Sequence, residues 1–177
     1  MLVVEVGMKL DKDLSYYQNM LTKKGLSLLF SCITRDVYLT KENLDGMTEN
    51  QMKNACKRFR YVSALNEKSK KDKKLLKEQK KLLKQGYKIA FDTIKFDFQY
   101  GNDKMKSRVQ LQSIKDVGLL VYYDNPDYYE FPLKKQRKLL LEELNSYGFT
   151  FKTTDLGLDK LRTLYYQKEM FSENQNG

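Results

Sequence analysis

Apolar and polar residues alternate along several segments of the chain, and this pattern predicts β-strands with one apolar and one polar face. In the segment 2–10, Val6 and Met8 share the apolar face, whereas Glu5 and Lys9 share the opposite face with Gly7. The same pattern predicts one or two strands over 28–40 and single strands over 55–64, 87–100, 107–114 and 117–124.

Helices are predicted where apolar residues recur at helical spacing and where capping residues bound the segment. Asp13 is a suitable N-cap and Gly25 a suitable stop for a helix over 14–24. A lysine-rich helix with a narrow leucine stripe is predicted over 66–85. The remaining predictions are a loop or short helix over 41–53, a helix from Pro132 to residue 147, a short strand over 149–152, a last helix through Leu158, Leu161 and Leu164, and a disordered tail over 172–177.

Few of the predicted strands are joined by segments long enough to hold the helical crossover that a parallel sheet needs. The sequence therefore predicts an α+β fold with an antiparallel β-sheet and helices packed outside it. With 177 residues and no linker or internal repeat, the chain is expected to form a single domain over 1–171.

Composition excludes several classes of protein. No apolar run approaches the length of a membrane-spanning helix, and the first residues have no basic region or cleavage site, so we expect neither a membrane protein nor a secretory signal. The chain has no histidine and only two cysteines, which excludes Ser-His and Cys-His catalysis and makes a structural zinc site unexpected. Cytoplasmic residence is the expectation.

The net charge of +10 favours a polyanionic partner such as a nucleic acid or a phosphorylated compound. Charged and polar residues also occupy alternate positions in most of the predicted strands. One interpretation is that these faces are solvated. The other is that the sheet curls and the faces line a polar cavity, where lysine and arginine would surround phosphate and carboxylates would hold Mg²⁺ or Mn²⁺.

A series of short motifs, in order, resembles the CYTH superfamily, which includes class IV adenylate cyclases and triphosphate tunnel metalloenzymes. The first strand carries Glu5-Val6-Gly7-Met8-Lys9, which is similar to the family's Glu-x-Glu-x-Lys. The resemblance continues through Asp36-Val37-Tyr38-Leu39, Lys57-Arg58-Phe59-Arg60, Lys95-Phe96-Asp97, the basic strand from Arg108, the strand ending in Tyr122-Tyr123-Asp124, and Leu144 to Gly148. It implies a sheet curled into a full or partial barrel, described as a tunnel.

The resemblance also implies a set of site residues. Phosphate would be bound by Lys9, Arg58, Arg60, Lys95 and Arg108, and a divalent metal, Mg²⁺ or Mn²⁺, by Glu5 and Asp124, with Asp97 as a possible third carboxylate. Three positions depart from the family pattern: Gly7 and Tyr122 replace glutamates, and Asp97 replaces an arginine. Because Gly7 and Tyr122 remove acidic metal ligands, the resemblance implies the fold more directly than it implies catalysis.

Three functions remain open at this point. In the first, the chain binds a triphosphate compound with a divalent metal and hydrolyses or cyclises it. In the second, it is an inactive member that binds polyphosphate or a nucleotide. In the third, it binds nucleic acid through the helix at 67–85, which has nine lysines against three acids. For that helix, a solvated outer face whose leucines cover the sheet is the simpler interpretation. The tyrosine-rich run 122–129 suggests a hydroxyl-bearing sheet edge or loop.

Overall fold

The computed structural model describes residues 4–63 and 70–150, and all that follows concerns these. Six strands and four helices follow each other along the chain. In order they are β1 (Val6–Lys9), α1 (Leu14–Lys23), β2 (Ser27–Thr40), α2 (Glu49–Ala55), β3 (Lys57–Ser63), α3 (Lys70–Lys84), β4 (Lys88–Gly101), β5 (Val109–Ile114), β6 (Gly118–Tyr123) and α4 (Leu133–Ser146). A 3-10 turn at Pro126–Tyr128 follows β6.

The six strands form one sheet in the order β1-β6-β5-β4-β2-β3. The pairing of β1 with β6 aligns Gly7 with Tyr122, and that of β2 with β3 aligns Asp36 with Arg60; both pairings are antiparallel. The predicted α+β class with an antiparallel sheet is therefore confirmed. The strands β1 and β3 stand at the two ends of this order.

The described residues divide into two compact units. The first comprises those up to Ser31, Phe96–Ser113 and those from Gly118 onward; the second comprises those within Cys32–Lys95 and Ile114–Val117. This division does not test the prediction of a single domain over 1–171, which stays a prediction.

The core of the first unit lies between its strands and the helices α1 and α4. Met8 and Val121, on β1 and β6, are fully buried there with Leu21 of α1 and Leu144 of α4. Phe149, the first residue of the predicted short strand over 149–152, follows α4 and stacks on Tyr17 with 5.5 Å between ring centroids, and 151–152 lie outside the described residues. Burial of apolar side chains from four elements thus stabilises this unit.

The second unit has two apolar clusters. Leu82 of α3 packs with Val37, Leu39 and Phe59, and Leu75 packs against this cluster. The predicted leucine stripe therefore covers the sheet only in part, because its other two members, Leu76 and Leu83, are exposed. Tyr38, Leu44, Met52, Ala90 and Phe91 form the other cluster. Buried polar side chains occupy alternate positions of β2 and β4 in this unit: Asp36, Thr93 and Lys95. We call these three residues the polar row, and part of the candidate site described below is built on them.

Helix ends follow the predicted capping chemistry. The Asp13 carboxylate accepts a hydrogen bond from the Tyr16 amide at 2.8 Å and begins α1, and Gly25 takes a φ of 81° after its end. The segment predicted as a loop or short helix contains α2, which begins at a capping box formed by Thr48 and Gln51.

Within the part of the chain that the structure describes, no helix has the length and apolar character needed to cross a bilayer. The predicted last helix and the predicted tail at 172–177 lie outside the described residues, as does the first part of the predicted lysine-rich helix, 66–69.

Candidate functional site

In the second unit, the carboxylate of Asp36 binds two of the predicted phosphate ligands. Arg60 donates to it through two parallel hydrogen bonds, Nε to Oδ1 and Nη2 to Oδ2, both 2.8 Å long. Lys95 places its Nζ 2.6 Å from Oδ2. Two cationic side chains, Arg60 and Lys95, thus bind the same carboxylate.

Burial within this cluster is uneven. The side chains of Asp36 and Lys95 are each 1% exposed, whereas that of Arg60 is 43% exposed. Burial acts to raise the pKa of Asp36, but the hydrogen bonds from Arg60 and Lys95 outweigh it and hold the pKa below its usual value. The carboxylate is therefore ionised at neutral pH and fixes the guanidinium at the edge of the buried cluster.

Arg58 joins Arg60 on the same face of β3, because side chains two residues apart in a strand point the same way. It is exposed and lies opposite Tyr38 in the register with β2. Another arginine–carboxylate pair lies on the opposite face. There Arg35 donates to Asp92 from Nε at 2.8 Å and from Nη2 at 2.6 Å. The two arginine–carboxylate pairs can therefore be compared directly: the carboxylate of Asp36 is buried, whereas that of Asp92 is exposed.

Thr93 is buried two residues before Lys95 on the same face of β4. Its hydroxyl oxygen is the one buried side-chain polar atom in residues 4–63 and 70–150 for which no hydrogen-bond partner is found. Such groups are uncommon in folded proteins, because leaving one unsatisfied is unfavourable. The hydroxyl therefore adds an unused donor to the polar row.

Asp97 of β4 is buried in the first unit. Its Oδ1 accepts hydrogen bonds from Gln110 Nε2 at 2.9 Å and from Gln112 Nε2 at 2.5 Å. The two glutamines occupy alternate positions of β5, and Gln112 is itself buried. Amide donors thus hold this carboxylate in the strand face.

Glu5 and Asp124, the predicted metal ligands, lie near each other at one end of the β1–β6 pair. Continuing the register of Val6 with Tyr123 places Glu5 opposite Asp124. The hydroxyl of Tyr129 donates to Asp124 Oδ2 at 2.5 Å, and this bond, followed by burial and the nearby charges of Asp124 and Glu5, raises the pKa of Tyr129. Two carboxylates and one hydroxyl therefore converge here.

The other two predicted phosphate ligands of the first unit are exposed. Lys9 is the last residue of β1, and its side chain lies over Gly118. A Cβ at position 118 would stand 3.2 Å from Lys9 Cε. Arg108 precedes β5, and its Nη1 donates to the carbonyl oxygens of Met105 at 3.0 Å and Ser107 at 2.9 Å. Its side chain also contacts Gly101 of β4, where a Cβ would lie 2.9 Å from Arg108 Cδ.

Two carboxylates, those of Glu5 and Asp124, are available to a divalent metal at the end of the β1–β6 pair. Among the residues described, no group of three or more acidic, cysteine or histidine side chains is arranged to hold a metal, so Asp97 does not complete such a group. Mg²⁺ is commonly bound through one or two carboxylates, with water and phosphate oxygens as its other ligands. Glu5 and Asp124 fit that limited role.

The predicted site residues thus fall into two sets. Arg58, Arg60 and Lys95 belong to the second unit, and the other four to the first. Within each unit the structure also shows that the polar faces are not simply solvated, because Asp36, Lys95 and Asp97 are buried.

Three contributors were missed by the sequence analysis: Asp36 as an ion partner, the Thr93 hydroxyl and the Tyr129 hydroxyl. Alternation along β2 and β4 could have placed Asp36 and Thr93 on polar faces. No signal in the sequence indicates which strands are neighbours.

Comparison with known proteins gives matches at the level of structure. No family model and no curated protein matches the sequence. A conserved hypothetical protein from Pyrococcus furiosus superposes with a TM-score of 0.57 at 13% identity, covering 92% of this chain and 99% of that one. The PH1012 protein of Pyrococcus horikoshii gives a TM-score of 0.55 at 11% identity, covering 88% and 94%.

A protein named as a putative adenylate cyclase, from Vibrio parahaemolyticus, is also similar. Its TM-score is 0.54 at 13% identity, and the alignment covers 88% of this chain and 92% of that one. At identities this low, the likeness shows a shared fold and carries no assignment of activity.

Proposed function

We propose that this chain binds a triphosphate-containing compound, inorganic triphosphate or a nucleotide, through the arginines of β3. The observation that carries the proposal is the fixed guanidinium of Arg60, held bidentately by a buried carboxylate and still 43% exposed. A pre-oriented guanidinium loses little freedom when it binds a phosphate oxygen, and its planar fork matches the geometry of phosphate. Arg58 supplies a second exposed guanidinium on the same face.

The resemblance of the motifs to the CYTH superfamily supports this ligand class, and so does the shared fold with the Vibrio protein named as a putative adenylate cyclase. The buried Lys95 would act through Asp36, because its ammonium group helps to fix the carboxylate that orients Arg60. The unused hydroxyl of Thr93 is available to donate to an anion that enters the polar row. Lys9 and Arg108 are exposed cations of the first unit, and each is proposed there as a separate phosphate ligand.

Mg²⁺ or Mn²⁺ is proposed to bind Glu5 and Asp124, with water or anion oxygens as its other ligands. Such a metal would supply charge neutralisation to a bound anion. The Tyr129 hydroxyl orients Asp124 through its hydrogen bond. We expect Glu5→Gln with Asp124→Asn to weaken Mn²⁺ binding, measured by electron paramagnetic resonance of free Mn²⁺; an unchanged affinity would remove the metal from the proposal.

Binding is tested by calorimetric titration of tripolyphosphate at low salt, with and without Mg²⁺. Saturating heat near one site per chain supports a binding protein, and continuous heat that scales with added substrate indicates hydrolysis. The variant Arg58→Gln with Arg60→Gln is expected to lose at least tenfold in affinity. Absence of heat with the wild-type chain would overturn the proposal.

The matched control is Arg35→Gln with Lys88→Gln, which removes the same charge from elsewhere in the second unit. Arg35 lies on the opposite face of β2 from Asp36, and Lys88 is exposed at the start of β4. An equal loss of affinity in this control and in the β3 variant would mean that net charge alone explains binding. Circular dichroism and thermal melting establish that each variant is folded.

A further inference from the structure

The helix α3 has one side that is fixed against the sheet of the second unit. Leu82 is buried among Val37, Leu39 and Phe59, and Leu75 packs against the same cluster. The Tyr61 hydroxyl also donates to Gln79 Oε1 at 2.6 Å. Since Leu75, Gln79 and Leu82 mark one side of the helix, the residues about half a turn away face solvent.

Lysines occupy the solvent side of α3. Lys73, Lys77, Lys80 and Lys84 follow each other at spacings of three and four residues and are exposed, as are Lys74 and Lys81 beside them. We refer to these six as the α3 lysine strip. At about 1.5 Å per residue, the strip is about 16 Å long, with a charge about every 5–6 Å. It therefore presents a regular row of cations that is longer than a single small anion requires.

Two more lysines continue the charge beyond the end of α3. Lys41 follows β2 and Lys57 begins β3, and their Nζ atoms lie 4.9 Å and 5.2 Å from the centroid of the Tyr87 ring. Tyr87 stands between the end of α3 and β4. The ring attracts both ammonium groups, which otherwise repel each other, so three separate elements place positive charge at this end of the helix.

Exposed apolar side chains flank the lysine strip. Leu76 and Leu83 lie seven residues apart on α3, next to the strip, with exposures of 39% and 37%. Bases that are not paired in a duplex expose apolar faces, which can contact such side chains while the phosphates of the same strand contact a row of lysines. The combination differs from a purely solvated helix, for which exposed leucines bring no advantage.

We propose that the α3 lysine strip, together with Lys41, Lys57 and Tyr87, binds single-stranded nucleic acid along its phosphate backbone. The interaction is independent of the triphosphate proposal, because it uses none of the same residues. Its affinity would come mainly from release of counterions by the eight lysines. Sequence preference is expected to be weak, because the surface offers few groups placed to read base edges.

The salt dependence of binding tests the proposal quantitatively. Fluorescence anisotropy with a labelled uridine homopolymer is expected to give a log–log slope of about −4 to −6 against salt concentration, at about 0.7 per phosphate contact. The variant K73Q/K77Q/K80Q/K84Q should reduce the magnitude of that slope by about 3. Glutamine preserves helix propensity, and circular dichroism checks that the variant is folded.

The control variant loses the same four positive charges, from exposed lysines outside α3. It substitutes glutamine at Lys23, Lys24, Lys104 and Lys134. We expect this control to keep the wild-type slope within about 1, and K41Q/K57Q to reduce the slope magnitude by about 1.

Equal slopes for the strip variant and the control would overturn the proposal, as would absence of binding at low salt. Tighter binding to a duplex than to the single strand would overturn the assignment to single strands. The variant Arg58→Gln with Arg60→Gln should leave the slope unchanged, which separates this surface from the proposed triphosphate site.

Discussion

The ring of Tyr122 lies against the α-carbon of Gly7, its cross-strand neighbour in the β1–β6 pair. A Cβ at position 7 would stand 2.8 Å from Tyr122 Cε1 and 3.0 Å from Cδ1. Gly7 and Tyr122 are therefore sterically coupled: the tyrosine ring occupies space that only glycine leaves open.

This coupling predicts that the effect of Gly7→Ala on the free energy of unfolding changes sign when Tyr122 is also replaced. Gly7→Ala alone is expected to destabilise the protein by about 1 kcal/mol, because the ring must move from a packed position. In the Tyr122→Ala background the same change should stabilise by about 0.5 kcal/mol, because alanine is less flexible than glycine in the unfolded chain. Urea unfolding measures both. Equal effects of Gly7→Ala in the two backgrounds would contradict the coupling.

Asp36 and Asp92 each bind an arginine bidentately, but only Asp36 is buried with a lysine. Asp36→Asn is expected to lower the free energy of unfolding by about 3–5 kcal/mol, because it removes the buried negative charge that pairs with the ammonium of Lys95 and the guanidinium of Arg60. Asp92→Asn, with Arg35 54% exposed, should lower it by less than about 1 kcal/mol. Chemical denaturation of the two variants compares them directly, and similar losses would mean that burial of the cluster contributes little.

The depressed pKa of Asp36 predicts how that difference varies with pH. The folded pKa lies below the unfolded value, so the stabilisation is present above about pH 4 and is lost as pH falls through the folded pKa. The stability gap between wild type and Asp36→Asn should be constant from about pH 8 to about pH 5 and narrow below about pH 4. Urea midpoints across this range measure the gap, and a gap that widens in acid would contradict the ion pairing.

Thr93 and Thr40 are both buried, but the Thr40 hydroxyl donates to the Ala55 carbonyl at 2.9 Å and accepts from the Glu42 amide. Thr93→Val is expected to raise the free energy of unfolding by about 1 kcal/mol, because valine removes an unsatisfied hydroxyl and keeps the shape. Thr40→Val should lower it by about 1–2 kcal/mol. Thermal melting without ligand distinguishes them. If Thr93→Val destabilised as much as Thr40→Val, the Thr93 hydroxyl would have a partner.

Alternation and capping predicted most of the fold because they are local properties. Val6 and Met8 indicated a buried face of β1, and Asp13 with Gly25 bounded α1 closely. The helix α2 remained ambiguous because its length is short and Gly46 precedes it, although Thr48 and Gln51 at cap-box spacing were a usable signal.

The candidate site was predicted less completely, because its contacts depend on which strands are neighbours. Arg60 and Lys95 were identified through the family resemblance, but their common carboxylate, Asp36, requires β2 to lie between β4 and β3. The sequence also gave no indication that the Lys95 side chain is buried. Strand order and register arise from packing between distant segments, which a single sequence does not display.

The ion cluster at Asp36 also affects how the protein responds to acidity. Pairing holds the pKa values of Asp36 and Asp92 below their usual range, while burial raises that of Cys56 to about 11 and that of Tyr17 to about 12. The chain has no histidine, which is the residue type whose ordinary pKa falls between about pH 5 and about pH 8. The protein therefore keeps a nearly constant electrostatic potential across that interval, and its attraction for anions is insensitive to the acidity of its surroundings.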